Sequence, residues 1–207
     1  INMLEKKIAL LTSVTFNNIG NGFIDLGAEA ALMKALPLNA ELFKVSSNAN
    51  FAATMGQMFM LKENPIINWL WVHTMQRAAK KLHDRSYKTV KTQNIFSMAS
   101  MVKCDYFIIP GCVLTVPFFT IYGDLIKRKA EQGSKIIFLG ASGNFYTEYE
   151  VKFVSEYLRK LRPYAIMTRD SLAYKYYANF TKNSYNGIDN VFFVNLLNLP
   201  LSLIHIS

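Results

Sequence analysis

The chain has 207 residues, of which 51% are apolar, 14% aromatic and 18% charged. That is enough for one α/β domain with a real core, and it excludes intrinsic disorder, collagen-like repeats and a solvated coiled coil. Cys104 and Cys112, with His73, His83 and His205, are too few for a disulfide framework or a convincing zinc centre, so no metal is expected. A formal charge of +9 favours an anionic partner without choosing among phosphorylated metabolites, acidic polysaccharides, nucleic acid and anionic lipid.

In chain order, the sequence opens at Ile1, and Lys6-Lys7 leads into a short apolar run with no cleavage site after it, so no signal peptide is expected. Lys7–Val14 predicts a strand, with its core at Ile8–Val14. Asn17-Asn18-Ile19-Gly20-Asn21-Gly22 predicts a glycine loop, and Phe23–Leu36 a helix ending at Pro37. Glu41–Ser46 reads as a second strand. Residues 50–92 then break the rhythm with Met55, Met58, Met60, Trp69, Trp71 and Met75, followed by the basic Arg77, Lys80, Lys81, Arg85, Lys88 and Lys91. They predict a helical insertion whose basic face is ordinarily solvated, with a peripheral membrane surface or anionic polymer against Arg77–Lys91 as the second reading.

Asn94–Val102 predicts a helix leading into a strand at Asp105–Ile109, with its apolar core at Tyr106–Ile109. Tyr106–Gly123 is uncharged and long enough to span a bilayer, but Pro110, Gly111, Pro117 and Gly123 interrupt it, so strand, turn and helix are expected instead. The helix runs over Phe118–Gln132 and stops at Gly133. Lys135–Leu139 is a strand and Gly140-Ala141-Ser142-Gly143 a small-residue loop. Thr147 with Glu150 forms a capping box for a helix to Leu161, striped by Val151, Val154, Leu158 and Leu161. Ala165–Thr168 predicts a strand, Ser171–Ala178 a helix and Val191–Val194 a last strand. Uninterrupted apolar strands alternating with amphipathic helices indicate a parallel sheet covered on both faces. Leu201–Ser207 reads, codon for codon, like a sequencing adapter translated in frame. The native domain is therefore expected to be residues 1–200, with 201–207 a non-native tail.

Open parallel sheets bind ligands beyond the carboxyl ends of their strands, where loops and helix N-termini present N–H groups. Four candidate loops follow: Asn17–Asp25, Pro110–Leu114, Gly140–Asn144 and Arg169-Asp170-Ser171. Gly20-x-Gly22 lacks the third glycine of a dinucleotide fingerprint, so it does not by itself argue for a nucleotide. Arg169, directly after a short buried strand and before a helix cap at Ser171, could aim a cationic fork at a phosphate or carboxylate; alternatively an Arg–Asp pair fixes the loop.

Taken in order, Asn18-Ile19-Gly20-Asn21, Asp105–Gly111, Phe138-Leu139-Gly140-Ala141-Ser142, Thr168-Arg169-Asp170-Ser171 and Gly187-Ile188-Asp189-Asn190-Val191-Phe192 resemble the polysaccharide pyruvyl transferase family. The match spans most of residues 7–195. It departs from the family pattern at Asn21, where an acidic residue is usual, at Pro110-Gly111-Cys112 and at Ile188.

The resemblance implies a Rossmann-like, doubly wound domain, the N-terminal half of a two-domain enzyme of GT-B type. It also implies transfer of pyruvate from phosphoenolpyruvate to a sugar hydroxyl of a cell-surface polysaccharide, in the cytoplasm and without a cofactor. Asn18, Gly20, Asn21, Gly111, Gly140, Ser142, Arg169, Asp170 and Ser171 would line the substrate site. The family's catalytic histidine lies in the second domain, so no catalytic residue is assigned here. The partners implied are a small-molecule donor and a glycan acceptor, not nucleic acid. A GT-B glycosyltransferase using a nucleotide-sugar and a non-catalytic anionic-polymer module are the alternatives.

Overall fold

A computed structural model of the chain describes residues 6–13, 19–37, 39–47 and 102–197, with side chains as far as Val194. The insertion at 50–92, Asn18 and the tail 201–207 lie outside the described residues. So does the helix expected over Asn94–Val102, except for Val102, which has no regular structure.

Six strands form one sheet: β1 (Lys6–Thr12), β2 (Ala40–Ser46), β3 (Tyr106–Pro110), β4 (Lys135–Ala141), β5 (Ala165–Thr168) and β6 (Ser184–Asn186). Every pairing is parallel, and the order is β2-β1-β3-β4-β5-β6. The chain winds one way from β1 to β2 and the other way from β3 to β6. This is a Rossmann-like, doubly wound α/β arrangement whose direction changes between β1 and β3. Four helices accompany the strands among the described residues: α1 (Ile19–Ala35), α2 (Val116–Glu131), α3 (Glu148–Leu161) and α4 (Ser171–Tyr177). Tyr106–Gly123 is a strand, a turn and the first half of α2, as expected, and no helix among the described residues is long and apolar enough to cross a membrane.

The strands are buried because their side chains serve two cores. On one face Phe107, Ile109 and Phe138 meet Phe119, Leu125 and Ile126 of α2, Val154 and Leu158 of α3, and Tyr177 of α4. On the other, Ile8, Leu10 and Ile108 meet Ala28 of α1 in a much smaller cluster. Right-handed crossovers put α1 on one face and α2–α4 on the other for this strand order. The helices start where their caps dictate. The Thr115 hydroxyl accepts from the Phe118 N–H at 3.3 Å, with Pro117 in the first turn of α2. The Thr147 hydroxyl accepts from the Glu150 N–H at 3.2 Å. The Glu150 carboxylate does not return to Thr147, as a capping box would have it. It accepts instead from the N–H groups of Phe145 and Tyr146, so only half of the expected box forms.

Two further expectations are corrected. Val191–Val194 is not a strand but part of a 3-10 helix, Asn190–Leu197. The sixth sheet position is taken by Ser184–Asn186, a three-residue edge strand, and the chain after it turns back onto α1. A short apolar run fits either state, and here packing against α1 decides. The loop expected at Gly20 and Asn21 is instead the first turn of α1, which starts at Ile19.

The contact between α1 and the 3-10 helix is close enough to require a glycine. A Cβ at Gly27 would collide with the Asn190 carbonyl oxygen. Glycine to alanine inside a helix ordinarily stabilises by up to about 1 kcal/mol. Here the collision reverses the sign, and Gly27→Ala is expected to cost about 1–3 kcal/mol. Urea denaturation checks this against Met33→Ala, an exposed position on the same helix. A Gly27→Ala chain as stable as the parent would mean that the returning segment does not sit on α1.

Candidate functional site

Because the sheet is wholly parallel, the residues following each strand share one edge. Gly111 follows β3, Gly140 is the next-to-last residue of β4, Ser142 follows β4 and Arg169 follows β5. Backbone hydrogen bonds lace these loops together. The Ser142 N–H donates to the Gly111 carbonyl at 3.2 Å, the Leu114 N–H to the Ser142 carbonyl at 3.0 Å and the Arg169 N–H to the Ala141 carbonyl at 3.1 Å. The Cys112 thiol donates to the Gly143 carbonyl at 3.2 Å. Three of the four expected loops therefore form one unit.

The fourth is represented by α1 alone, since Asn18 lies outside the described residues. Asn21 donates its amide to the Ser13 carbonyl at 3.2 Å, and Asp25 accepts from the Ser13 N–H at 2.8 Å. Both side chains thus fasten the end of β1 to the helix. Ile24 stands 3.3 Å from where a Cβ of Gly111 would be, so α1 borders this edge. Gly20 lies in the same first turn of α1.

Gly140 has a positive φ of 56° and sits where the β4–β5 register shifts, a bulge at the end of the strand. A side chain there would stand 2.5 Å from the Asn190 amide oxygen. Asn190 is 1% exposed and donates to the Leu139 carbonyl at 2.9 Å. The residue that fills the bulge thus comes from the returning segment, 50 positions away in sequence.

Arg169 pairs with Asp189, Nη1 to Oδ2 at 2.5 Å, with both side chains about three-quarters buried. The Arg–Asp pairing considered from sequence is therefore real, but its partner is Asp189, not the adjacent Asp170. Asp170 has another task. It, rather than Ser171, is the N-cap of α4, accepting from the Ala173 N–H at 2.7 Å, while Ser171 is the first residue of the helix. Asp170 also accepts from the Tyr146 hydroxyl at 2.8 and 2.9 Å, and that hydroxyl accepts in turn from the Gly143 N–H at 2.8 Å. Tyr146, left-handed at φ 52° and stacked on Tyr176, bridges two of the loops.

This lacing changes what the edge can do. The N–H groups of Gly111, Ser142, Gly143 and Arg169 are spent within the loops. Side-chain chemistry at this edge comes from the Arg169 N–H donors not turned to Asp189 and from the Ser142 hydroxyl. That hydroxyl is buried without a hydrogen-bond partner, and the residue is 3% exposed. An unmet buried hydroxyl costs about 1–3 kcal/mol. Burial, reinforced by the bond to Asp170, raises the Tyr146 pKa far above the usual tyrosine range, so its hydroxyl stays protonated and keeps donating to Asp170.

Sequence reasoning missed Asp25, Tyr146, Asp189 and Asn190 as organisers of this edge. The signal for Asp25 was a carboxylate set among the apolar Phe23, Ile24 and Leu26. For Asp189 and Asn190 it was a polar pair wedged before an apolar run. Tyr146 gave none. No family model matches this chain, and neither a curated protein nor a solved structure matches it.

The tyrosines set an alkaline limit on stability. Burial raises Tyr157 from near 10 to about 12 and raises Tyr146 and Tyr177 further. Unfolded, all three ionise near pH 10, so the unfolded state binds fewer protons above that pH. Stability is therefore complete below about pH 10 and falls as pH rises toward and past 12. Tyr146→Phe is expected to lose about 1–3 kcal/mol at neutral pH by stranding the Gly143 N–H, and to make the alkaline decline shallower. Urea midpoints between about pH 8 and pH 11 measure both. An unchanged midpoint and slope would remove the bridge.

Proposed function

We propose that this chain is the N-terminal, Rossmann-like half of a two-domain, GT-B-like cytoplasmic enzyme related to polysaccharide pyruvyl transferases, which move pyruvate from phosphoenolpyruvate to a pair of sugar hydroxyls as a ketal. One observation carries the reading. Segments 105–111, 138–142, 168–171 and 187–192, whose order made the resemblance, are far apart in sequence yet meet at one edge of the parallel sheet, joined by hydrogen bonds and the Arg169–Asp189 pair.

The donor carries a phosphate and a carboxylate on a three-carbon enol. Arg169 suits either anion, because its planar fork keeps further N–H donors beside the one held by Asp189. Asp189 then acts as the positioning partner that fixes the direction of the fork, and the Ser142 hydroxyl supplies a neutral donor from the neighbouring loop. Ketal formation also needs an acid to protonate the enol carbon, so that one sugar hydroxyl adds at the ketal carbon and a second hydroxyl of that sugar displaces the phosphate, which leaves as inorganic phosphate. In this reading the acid comes from the facing domain, and this half binds and orients the donor.

Isothermal titration of the chain with phosphoenolpyruvate tests the reading. Binding is expected, with Arg169→Ala weakening it about tenfold to a hundredfold, the worth of a charge-assisted contact. A chain that binds a nucleotide-sugar and not phosphoenolpyruvate would make the glycosyltransferase alternative the better reading. Phosphoenolpyruvate binding that ignores Arg169→Ala would move the site elsewhere.

A further inference from the structure

We propose that the α1 face of the sheet carries a binding site for a single fatty carboxylate, an inference independent of the donor reading above. A cavity of about 480 Å3 opens between α1, the carboxyl-terminal halves of β4, β5 and β6, and the 3-10 helix. Its size is that of a small-molecule site. Its walls are apolar, from Ala31 and Leu32 of α1, Leu139 of β4, Met167 of β5, and Ile188 and Phe193 of the returning segment.

Two of the polar side chains in that wall are already engaged. The Asn190 amide donates to the Leu139 carbonyl at 2.9 Å and the Thr168 hydroxyl to the Tyr185 carbonyl at 3.4 Å. A polar ligand would lose its hydration there without replacement, whereas an alkyl chain has none to lose. At the rim, Tyr185 and Ile188 are 57% and 53% exposed, apolar surface that a bound chain would cover.

Charge fixes the other end of the ligand. Among the described residues, Lys34 is the one charged residue in the cavity lining, and it stands exposed in the last turn of α1. A chain lying along the apolar wall with a carboxylate at its mouth satisfies both features. The cavity is finite and walled by helix and sheet, so it accommodates one detached chain and not a bilayer surface.

Fluorescence titration of the whole chain with cis-parinaric acid, a fluorescent fatty carboxylate, reads the site. Saturable one-to-one binding is expected. Lys34→Glu should weaken it about fivefold or more, turning an exposed attraction into a repulsion, while leaving displacement by neutral dodecanol unchanged. Ala31→Phe, which fills the cavity, should abolish both. Ala35→Phe, one turn further along α1 and also in the lining, replaces Ala31→Phe if that variant melts early.

The proposal is overturned by absent or unsaturable binding, or by binding that survives a folded cavity-filling variant. It is also overturned if Lys34→Glu spares parinarate or weakens dodecanol equally. Binding to phosphatidylglycerol vesicles without binding of free parinarate would show a membrane-facing surface instead, and would equally overturn it.

Discussion

The candidate site depends on one buried side chain, Asn190. Its amide donates to the Leu139 carbonyl, its side chain occupies the space that Gly140 leaves open, and its own carbonyl lies against Gly27 of α1. A buried amide is costly unless its hydrogen bonds are made, so this one is tolerated only in the register that makes them. That requirement fixes where the chain returns after β6. The return in turn places Asp189 opposite Arg169, and the 3-10 helix on α1.

Electrostatics plays an uneven part. Lys6–Asp105, Lys7–Glu41 and Lys127–Glu131 are exposed pairs, each worth about 0–1 kcal/mol. They help solubility more than they determine the fold. Arg169–Asp189 is largely withdrawn from water, so removing either partner would leave the other charge poorly compensated. Stability rests chiefly on the two apolar clusters, which are unequal. Among the described residues, the face covered by α2, α3 and α4 is densely packed, whereas the face under α1 buries fewer side chains and borders the cavity beside Met167 and Ile188. Structure and ligand capacity are thus linked: the better-covered face holds the domain together, and the thinner one has room for a guest.

The sequence was most legible where a single physical signal dominates. Parallel strands buried on both faces read as continuous apolar runs, and β1, β3, β4 and β5 fall where those runs are. Thr147 and Gly133 mark helix ends because capping and left-handed geometry admit few residue types. Legibility failed where the deciding partner is distant in sequence. Ser184–Asn186 is a polar edge strand with no apolar run to announce it, and Val191–Val194 has such a run but lies in a 3-10 helix against α1. Gly111, Gly140, Ser142 and Arg169 could be placed at one edge from the alternation of elements alone. What they do there could not, because that depends on Asp189, Tyr146 and Asn190, each chosen by tertiary contact.

Backbone amide mapping of the 15N-labelled chain during titration with phosphoenolpyruvate tests the central claim most directly, because it reports position as well as binding. If the strand-end loops hold the donor, saturable shifts concentrate at Gly111, Ser142, Gly143 and Arg169 and extend to Asp189 and Asn190, while the amides of β2 and the middle of α2 stay still. Shifts confined to residues 77–91, or spread evenly over lysine-rich surface and lost in salt, would contradict it and show a general attraction of a basic protein for an anion.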